Sequence, residues 1–457
     1  MAPDFATGPT LAKLARDLAT GAVTARSLAE DCLARIEDPA GEGGRAFMAV
    51  DRGKTLALAD AQDATRKAGA PASPFAGIPL AIKDLFDVVG EVTRAGSAAL
   101  SEAESAVADA PTVARMRQAG FVPIGRTNMT EFAYSGLGLN PHYGDPRSPW
   151  RRDEGRVSGG SSSGSAVAIV DGMAHAALGT DTGGSCRIPA AFTGLVGLKP
   201  TARRIPLDGA LPLSGSLDSI GPIARSVRCC ATVDAILAGE PQPDLAPPPV
   251  RGLRFCVPTT LALDGMDDTV SVAFEAALTR LSEAGASVER VAVPEFEQVG
   301  RIGANGGLTA AESFCWHRRL LAEKGDRYDP RVAIRIRRGE AIGAADYLDM
   351  LAARRAYVAG MERRLAPYDA LVMPTVPIVP PRIADLVDDA EFGRVNIVTL
   401  RNSTFVNMMD GCAISLPIGR PGDAPVGLTI ACAGGQDARM LTIAAAIEDL
   451  FASQRTS

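Results

Sequence analysis

The chain has 457 residues, of which 46% are hydrophobic and 22% charged, the balance of a globular protein that can bury a large core. Its formal net charge of −6 and the even spread of its basic residues exclude the basic surface of a nucleic-acid-binding protein. The longest apolar stretch, residues 166–178, contains Asp171 and His175 and is too short to span a bilayer, so no membrane partner is expected.

The amino-terminal region is predicted to be helical. Its first residues lack the basic start and apolar core of a secretory signal, so we expect a cytoplasmic protein. Residues 10–21 are amphipathic and should end a first helix at Gly21. A second helix should follow, with Thr24 as its cap.

Strand and helix patterns alternate over the rest of the chain. Residues 77–88 form an apolar, strand-like run opened by a Gly-Ile-Pro turn. Residues 111–128 predict a helix stopped at Gly120 and then a short strand from Phe121 to Ile124, and the same order recurs at residues 271–294. The alternation predicts an α/β fold in which one sheet is covered by helices on both faces.

Two loops rich in glycine and serine, around Ser161 and Ser185, stand out within residues 158–201. Tight turns would explain either loop, because glycine adopts positive φ at little cost and serine bonds to nearby backbone. A phosphate-binding loop is disfavoured because neither loop has the lysine of a Walker motif. Residues 160–164 match the G-x-S-x-G nucleophile elbow with Ser162 at its centre, but polar residues precede them where that elbow requires a buried strand.

A serine nucleophile in this chain needs a base other than histidine. Of the three histidines, His175 lies among alanines and His317 beside Trp316, settings more typical of packing or surface residues. A neutral lysine can take a proton once burial lowers its pKa from about 10 toward roughly 7 to 8. The chain has only six lysines, and Lys83 lies inside the apolar run 78–85, so Lys83 is the candidate base. A structural lysine that reaches solvent from a strand is the alternative.

The eight cysteines lie mostly in apolar segments and form no C-x-x-C pair. We therefore interpret them as small core residues and expect no metal site.

Three segments carry a resemblance to the amidase signature family: GIPLAIKD at 77–84, SGGSSSGSAVA at 158–168 and ALGTDTGGSCRIPAAFTGLVGLKPT at 177–201. Weaker likeness extends over nearly the whole chain. The resemblance implies an α/β fold with a single large twisted mixed β-sheet covered by helices on both faces. It also implies one domain over residues 1–457, in which we expect amino-terminal helices at 1–70, a catalytic core at 75–235, a proline-rich surface connection at 239–252 and a second lobe at 253–457.

The resemblance also implies the site. In this family, a serine in a D-x-G-G-S loop attacks the carbonyl, a serine in a G-G-S-S loop relays protons, and a buried lysine is the base. By position, these catalytic roles fall on Ser185, Ser161 and Lys83, with Ser161 after a cis peptide bond. The implied oxyanion hole is formed by the N–H groups of Thr182, Gly183, Gly184 and Ser185. Supporting roles fall on Ser162, Asp181 and Arg187, whereas Cys186 is expected to be structural.

The implied function is that of an amidohydrolase without a cofactor, cleaving the C–N bond of a carboxamide, anilide or carbamate through an acyl-enzyme. The alternative within the family is the glutaminase subunit of a tRNA-dependent amidotransferase, which needs a partner subunit. The expected partner is a small-molecule amide or carbamate, and a homodimer is left open. Specificity should reside between Ala304 and Asn407, where Phe314, Trp316, Phe405 and Met408 are candidates for an apolar pocket, with core packing as the alternative for each.

Overall fold

The computed structural model describes residues 8–420 and 422–453. Residues 1–7, which begin the expected amino-terminal helical region, lie outside the described residues. The strands are β1 (Phe47–Ala49), β2 (Pro79–Lys83), β3 (Val122–Thr127), β4 (Ala176–Thr180), β5 (Val196–Lys199), β6 (Ile220–Ala224), β7 (Arg254–Pro258), β8 (Ser287–Val291), β9 (Ala370–Pro374), β10 (Cys412–Pro417) and β11 (Gly427–Cys432).

These strands form one 11-stranded sheet in the order β1-β3-β2-β4-β6-β5-β10-β11-β9-β7-β8. The sheet is mixed: β2 pairs in parallel with β3 and β4, and β7 pairs in parallel with β8 and β9. The other pairs are antiparallel. Strands from the two halves of the chain join where β5 pairs with β10.

The described helices lie between strands in the chain, except that three precede β1 and one follows β11. They are α1 (Leu11–Thr20), α2 (Ala25–Glu37), α3 (Gly43–Ala46), α4 (Arg52–Lys67), α5 (Pro111–Gln118), α6 (Ser163–Val170), α7 (Arg187–Thr193), α8 (Val227–Ala238), α9 (Asp268–Glu283), α10 (Phe296–Ile302), α11 (Gly307–Lys324), α12 (Pro330–Arg337), α13 (Ala344–Leu365), α14 (Asp389–Met408) and α15 (Asp437–Ser453). None of the described helices is long and apolar enough to cross a bilayer.

Both faces of the sheet are buried by helices. Side chains alternate between the two faces of a strand, and in β2 Leu80 and Ile82 join one apolar cluster while Ala81 joins another. The first cluster includes residues of α1, α5, α8, α9 and α15. The opposite face is covered by α2 and α6 near β2, and by α10, α13 and α14 near β9. The predicted fold class, one large mixed sheet between helices, is confirmed.

Local signals predicted the first two helices correctly. The Thr10 side chain accepts a hydrogen bond from the Lys13 N–H, and α1 ends at Gly21 with φ of 74°. Thr24 caps α2 through a reciprocal pair of hydrogen bonds with Ser27. These residue types satisfy the N–H groups that have no partner in the first turn of a helix, or adopt the left-handed conformation that ends one.

The strand predicted at residues 77–88 is shorter than expected. It ends at Lys83, where a turn closed by the Phe86 N–H and the Lys83 carbonyl redirects the chain. Leu85 and Phe86 are still buried, so the apolar pattern continues beyond the strand. Hydrophobicity reports burial and not hydrogen-bonding partners, so the pattern missed the end of the strand. The turn leaves Lys83 as the last strand residue.

The interpretation of the cysteines as core residues is correct for seven of the eight. All are free, and all are buried except Cys315, which is exposed on α11. The neighbouring Phe and Trp residues suggested a buried position for Cys315, but its side chain is on the exposed side of the helix.

Gly164 and Gly393 provide a paired test of packing. A Cβ at Gly164 would lie 2.3 Å from the Ala46 carbonyl oxygen and 2.7 Å from the Asn128 nitrogen, whereas a Cβ at Gly393 would meet nothing within 4 Å. We expect Gly164→Ala to lower the free energy of unfolding by about 1 to 3 kcal/mol, because backbone must move. Gly393→Ala, inside α14, should raise it by about 0.5 to 1 kcal/mol. Urea unfolding measures both, and similar effects would contradict the packing around α6.

Candidate active site

The sheet brings Lys83 next to the first glycine- and serine-rich loop. Because β2 and β4 are parallel and adjacent, Lys83 and Thr180 lie at the same edge of the sheet, where both strands end. Ser161 precedes α6, which packs against both strands. Lys83 Nζ lies 2.8 Å from Ser161 Oγ and 2.8 Å from Thr180 Oγ1. The structure therefore joins two of the three expected catalytic residues and adds Thr180.

The environment of the Lys83 amine favours its neutral form. The side chain is fully buried, and its hydrogen-bond partners are two hydroxyl groups. Burial lowers the pKa of Lys83 to about 7, against a smaller opposing effect of nearby negative groups that include Asp218 and Asp181. A large fraction of the amine is thus unprotonated near neutral pH and can accept a proton from a neighbouring hydroxyl.

The peptide bond between Gly160 and Ser161 is cis, as the resemblance implied. Neighbouring loops hold this turn on both sides. The Gly160 N–H donates to the Gly136 carbonyl at 2.8 Å, and the Thr130 N–H donates to the Ser161 carbonyl at 3.1 Å. Ser161 therefore has a fixed backbone position next to Lys83.

Ser185 lies beside this turn and is almost fully buried, with 3% of its surface exposed. Its carbonyl accepts a hydrogen bond from the Ser162 N–H at 3.4 Å, which ties the two loops together. Among the described residues, the Ser185 hydroxyl makes no hydrogen bond to Ser161. The structure thus makes the Lys83–Ser161 link of the expected relay and not the link to Ser185.

The expected oxyanion hole needs one correction. The Gly184 N–H donates to Asp181 Oδ1 at 2.8 Å, so it is already occupied. The N–H groups of Thr182, Gly183 and Ser185 have no acceptor within the described chain and remain as candidate donors. Gly184 is required for another reason: its φ is +125°, and a Cβ would lie 2.5 Å from the Ser403 Cβ. The close approach of α14, which the sequence did not reveal, explains this glycine.

A buried ion pair supports the loop that contains Ser185. Arg187 contacts both carboxylate oxygens of Asp181, at 2.9 and 3.0 Å, and neither side chain is exposed. The Asn407 amide donates to Asp181 Oδ1 at 3.0 Å, and Arg187 in turn donates to the Asn407 side-chain oxygen at 2.7 Å. Burial by itself would raise the pKa of Asp181, but Arg187 and Asn407 hold it well below its usual range. The carboxylate is thus ionised and fully hydrogen-bonded.

Two neighbours of the serines have structural contacts. Ser162 Oγ lies 3.5 Å from the Thr180 carbonyl oxygen and is fully buried. Cys186 Sγ donates to the Gly221 carbonyl at 3.4 Å, and burial raises the pKa of its thiol well above the ordinary value. The thiol therefore stays protonated, in agreement with the structural interpretation of Cys186.

The histidines lie away from the two serines. His317 is buried against Phe132 and lies 2.9 Å from the Tyr328 hydroxyl, and burial lowers its pKa to about 3. His175 contacts Cys32 at 3.8 Å, and His142 contacts Glu131 at 3.0 Å. The described structure places no histidine in hydrogen-bond contact with Ser161 or Ser185.

Two of the four residues named for an apolar pocket lie in the core instead. Phe405 stacks on Phe296 with ring centroids 3.9 Å apart, and Met408 belongs to the same buried cluster, so both are core residues. Phe314 packs partly buried against the other large cluster. Trp316 is 40% exposed and packs against Phe132. Aromatic composition did not distinguish core from pocket, because both environments are apolar.

Sequence reasoning missed Thr180, Asn407 and Asp218. Thr180 ends an apolar strand, and its meeting with Lys83 depends on the pairing of β2 with β4. Asn407 offered a usable signal, since a buried amide within an apolar stretch of a helix usually has a specific partner. Asp218 lies in a loop whose packing the sequence does not specify.

Comparisons with known proteins agree on one family. The family model "Amidase" matches residues 27–441. A 2-amino-5-chloromuconic acid deaminase of Comamonas testosteroni is 40% identical over 450 residues, 97% of this chain and 96% of that protein. A glutamyl-tRNA(Gln) amidotransferase subunit of Symbiobacterium thermophilum is 35% identical, covering 95% of each chain. A crystal structure described as an amidase superposes with a TM-score of 0.87 at 33% identity, covering 96% of this chain and 99% of that one.

The Asp181–Arg187 pair yields a stability prediction. Replacing Arg187 with Met leaves the Asp181 carboxylate buried and unpaired, which should cost about 3 to 5 kcal/mol of unfolding free energy near pH 7.5. The double variant Asp181→Asn/Arg187→Met should recover part of that loss because the charge is gone.

The same variant should respond to pH. Without Arg187, burial raises the pKa of Asp181 above its unfolded value, so the folded state binds the extra proton and the deficit should shrink between pH 7.5 and pH 5. Urea unfolding at both pH values measures this. A deficit that is independent of pH and of Asp181→Asn would contradict the ion-pair assignment.

Proposed function

This chain belongs to the amidase family, whose members act on amide C–N bonds, and we propose that it hydrolyses a small-molecule amide through an acyl-enzyme on Ser185, with Ser161 as proton relay and Lys83 as base. The observation that carries the proposal is the contact between Lys83 Nζ and Ser161 Oγ at 2.8 Å in a fully buried site. A buried neutral amine beside a hydroxyl is a general base that operates near pH 7.

In the first step, Ser161 gives its hydroxyl proton to Lys83 while it takes the proton of Ser185. Ser185 Oγ forms a bond to the substrate carbonyl carbon, and the carbonyl oxygen becomes an oxyanion. This step needs a hydrogen bond between Ser185 and Ser161, and catalytic hydrogen bonds of this kind often tighten only when substrate binds.

The oxyanion would be bound by backbone N–H groups. Those of Thr182, Gly183 and Ser185 are the candidates, because they have no acceptor among the described residues while Gly184 is engaged with Asp181. Each donor of this kind contributes about 3 to 4 kcal/mol to transition-state stabilisation in enzymes of comparable design.

Breakdown of the tetrahedral intermediate uses the same proton. It passes from Lys83 through Ser161 to the amide nitrogen as the C–N bond breaks, so that a neutral amine or ammonia leaves. Water then attacks the acyl-enzyme, its proton passes to Ser185 Oγ by way of the relay, and a carboxylic acid is released. Protonation of nitrogen is essential for amides, since an amide anion is a very poor leaving group.

We further propose that the substrate carries a carboxylate. Arg335 on α12 donates to the Tyr134 carbonyl, stacks 5.0 Å from the centre of the Phe392 ring and has no carboxylate within 4 Å among the described residues. Arg335 and Arg338 both act electrostatically on the Tyr134 phenol. Asp329 acts on the Arg335 guanidinium electrostatically without forming an ion pair among the described residues. A partly buried guanidinium with no carboxylate in hydrogen-bond contact favours binding of an anion.

Arg335 is linked to the reacting groups through the loop that contains Tyr134. Tyr134 lies two residues before Gly136, whose carbonyl holds the Gly160 N–H next to Ser161. A relative 40% identical to this chain is named for an acid, 2-amino-5-chloromuconic acid. Both observations support a substrate with an amide C–N bond at one end and a carboxylate at the other.

The glutaminase component of an amidotransferase is the second candidate, favoured by the 35% identity to the glutamyl-tRNA(Gln) amidotransferase subunit of Symbiobacterium thermophilum. The two candidates differ in their need for a partner. Turnover of a simple amide by the isolated chain supports the free-standing amidohydrolase, whereas turnover only after a partner protein is added supports the amidotransferase.

One prediction of the proposed mechanism concerns Lys83. With a non-ionising anilide as substrate, kcat/KM should fall about tenfold per pH unit below about pH 7, because protonation of Lys83 removes the base. Lys83→Ala should abolish most amide hydrolysis and spare part of the ester hydrolysis, whose leaving groups need less protonation. Ser185→Ala should be inactive. Hydrolysis that persists in Ser185→Ala would overturn the mechanism, and equal losses on amide and ester would exclude Lys83 as the proton source.

Another prediction, on the carboxylate of the substrate, concerns Arg335. We expect Arg335→Gln to raise KM for succinamate about 10- to 100-fold, the effect of losing one charge-assisted hydrogen bond, and to leave hydrolysis of the uncharged butyramide unchanged. Arg337→Gln on the exposed side of the same helix is the matched control. Equal losses on the two substrates would show that Arg335 acts only by supporting the loop at Tyr134.

A further inference from the structure

A second buried carboxylate, Asp218, is held next to the candidate oxyanion loop. It lies in the segment 213–219 that leads into β6, with 7% of its surface exposed. Thr182 Oγ1 donates to Asp218 Oδ1 at 2.5 Å. The N–H groups of Leu213 and Ser214 both donate to Oδ2 at 3.0 Å. Both carboxylate oxygens are therefore engaged, and the side chain is fixed in place.

The same segment also holds the residue before Thr182. The Asp181 N–H donates to the Ser219 carbonyl at 2.7 Å, and the Ser219 N–H returns a bond to the Asp181 carbonyl at 3.2 Å. Ser219 Oγ adds a third bond to that carbonyl at 2.8 Å. Two consecutive residues of the loop are thus bound by two consecutive residues of the segment. Asp181 is bound by Ser219 through its backbone, and Thr182 is bound by Asp218 through its side chain.

Segment 213–219 is in turn anchored to two helices. Glu312 on α11 accepts hydrogen bonds from Ser214 Oγ at 2.6 Å and from the Ser216 N–H at 2.9 Å. The hydroxyl of Tyr347 on α13 donates to the same carboxylate at 2.8 Å. The helices therefore fix the position of the segment, and the segment can in turn fix the position of Thr182.

We propose that Asp218 is a positioning residue: by holding the Thr182 hydroxyl, it fixes the direction of the Thr182 and Gly183 N–H groups toward the oxyanion that forms on attack by Ser185. Asp218 acts through Thr182 and does not touch the reacting atoms. The inference rests on the proposed function. Donors fixed before the reaction need no reorganisation when charge develops, so their fixation contributes directly to the rate.

Charge adds a second effect. Burial raises the pKa of Asp218 to about 6, against the bonds from Thr182 and the two backbone N–H groups, so the carboxylate is ionised above that pH. Its negative charge raises the pKa of Lys83. Among the described residues, Glu312 faces Asp218, while Cys186 and Asp181, with its partner Arg187, act on Lys83. Burial raises the pKa of the Cys186 thiol well above its ordinary value, so that group stays protonated. Removing the Asp218 charge should thus lower the pKa of Lys83.

The test compares Asp218→Asn and Thr182→Val with the double variant. We expect each single variant to lower kcat about 10- to 100-fold with KM within about threefold of wild type, because the donors act in the transition state. The double variant should be no worse than either single variant, since the two changes break one interaction. Thr182→Ser, which keeps the hydroxyl, should retain near-wild-type kcat.

Asp234→Asn is the matched control. Asp234 on α8 is also a buried carboxylate with its pKa raised to about 6 by burial, but it pairs with Arg204. In the part of the chain that the structure describes, it makes no hydrogen bond to the loop that contains Thr182. It should keep the wild-type kcat. The acid limb of the kcat/KM profile should move to lower pH in Asp218→Asn and stay in place in Asp234→Asn.

Two results would overturn the inference if Ser185→Ala is inactive. The first is a wild-type kcat in Asp218→Asn. The second is a double variant whose loss of kcat is the sum of the two single losses, with a matching loss of unfolding free energy. Failure of the proposed function is a different result, namely hydrolysis that persists in Ser185→Ala.

Discussion

The Lys83 amine is buried with no carboxylate in hydrogen-bond contact among the described residues, and the rest of the site depends on this constraint. A carboxylate in hydrogen-bond contact would stabilise the ammonium form and prevent its action as a base near pH 7. The structure instead supplies the hydroxyls of Ser161 and Thr180 at 2.8 Å. Asp181 and Asp218, the two carboxylates that act electrostatically on Lys83, accept hydrogen bonds from other donors, so their charges affect Lys83 only from a distance.

The second half of the chain completes a site whose proposed chemistry lies in the first half. Asn407 on α14 holds the Asp181–Arg187 pair, and Glu312 on α11 anchors the segment that contains Asp218. Relatives named as a deaminase and as part of an amidotransferase match this chain over 95% or more of their own length. Different activities can arise on one fold, because activity depends on the residues of the site and not on the fold itself.

Most of the fold class and the main candidate residues could be predicted from the sequence. Helix caps at Thr10 and Thr24 are local, since their hydrogen bonds span a few residues. The loops around Ser161 and Ser185 were conspicuous because glycine and hydroxyl residues cluster there. The end of the strand at Lys83 was not predictable, because the apolar pattern continues past the point where hydrogen bonding stops.

The sequence by itself determined the family and the helix boundaries set by local caps, and it led to the prediction of a serine-rich site without a histidine base. Only the tertiary structure decided which groups meet: that Thr180 is the second partner of Lys83, that the Gly184 N–H is occupied by Asp181, and that Phe405 packs in the core. These facts depend on strand pairing and on the approach of α14, which joins residues 226 positions apart. Contacts between such distant segments follow from the packing of the whole fold and leave no local pattern in the chain.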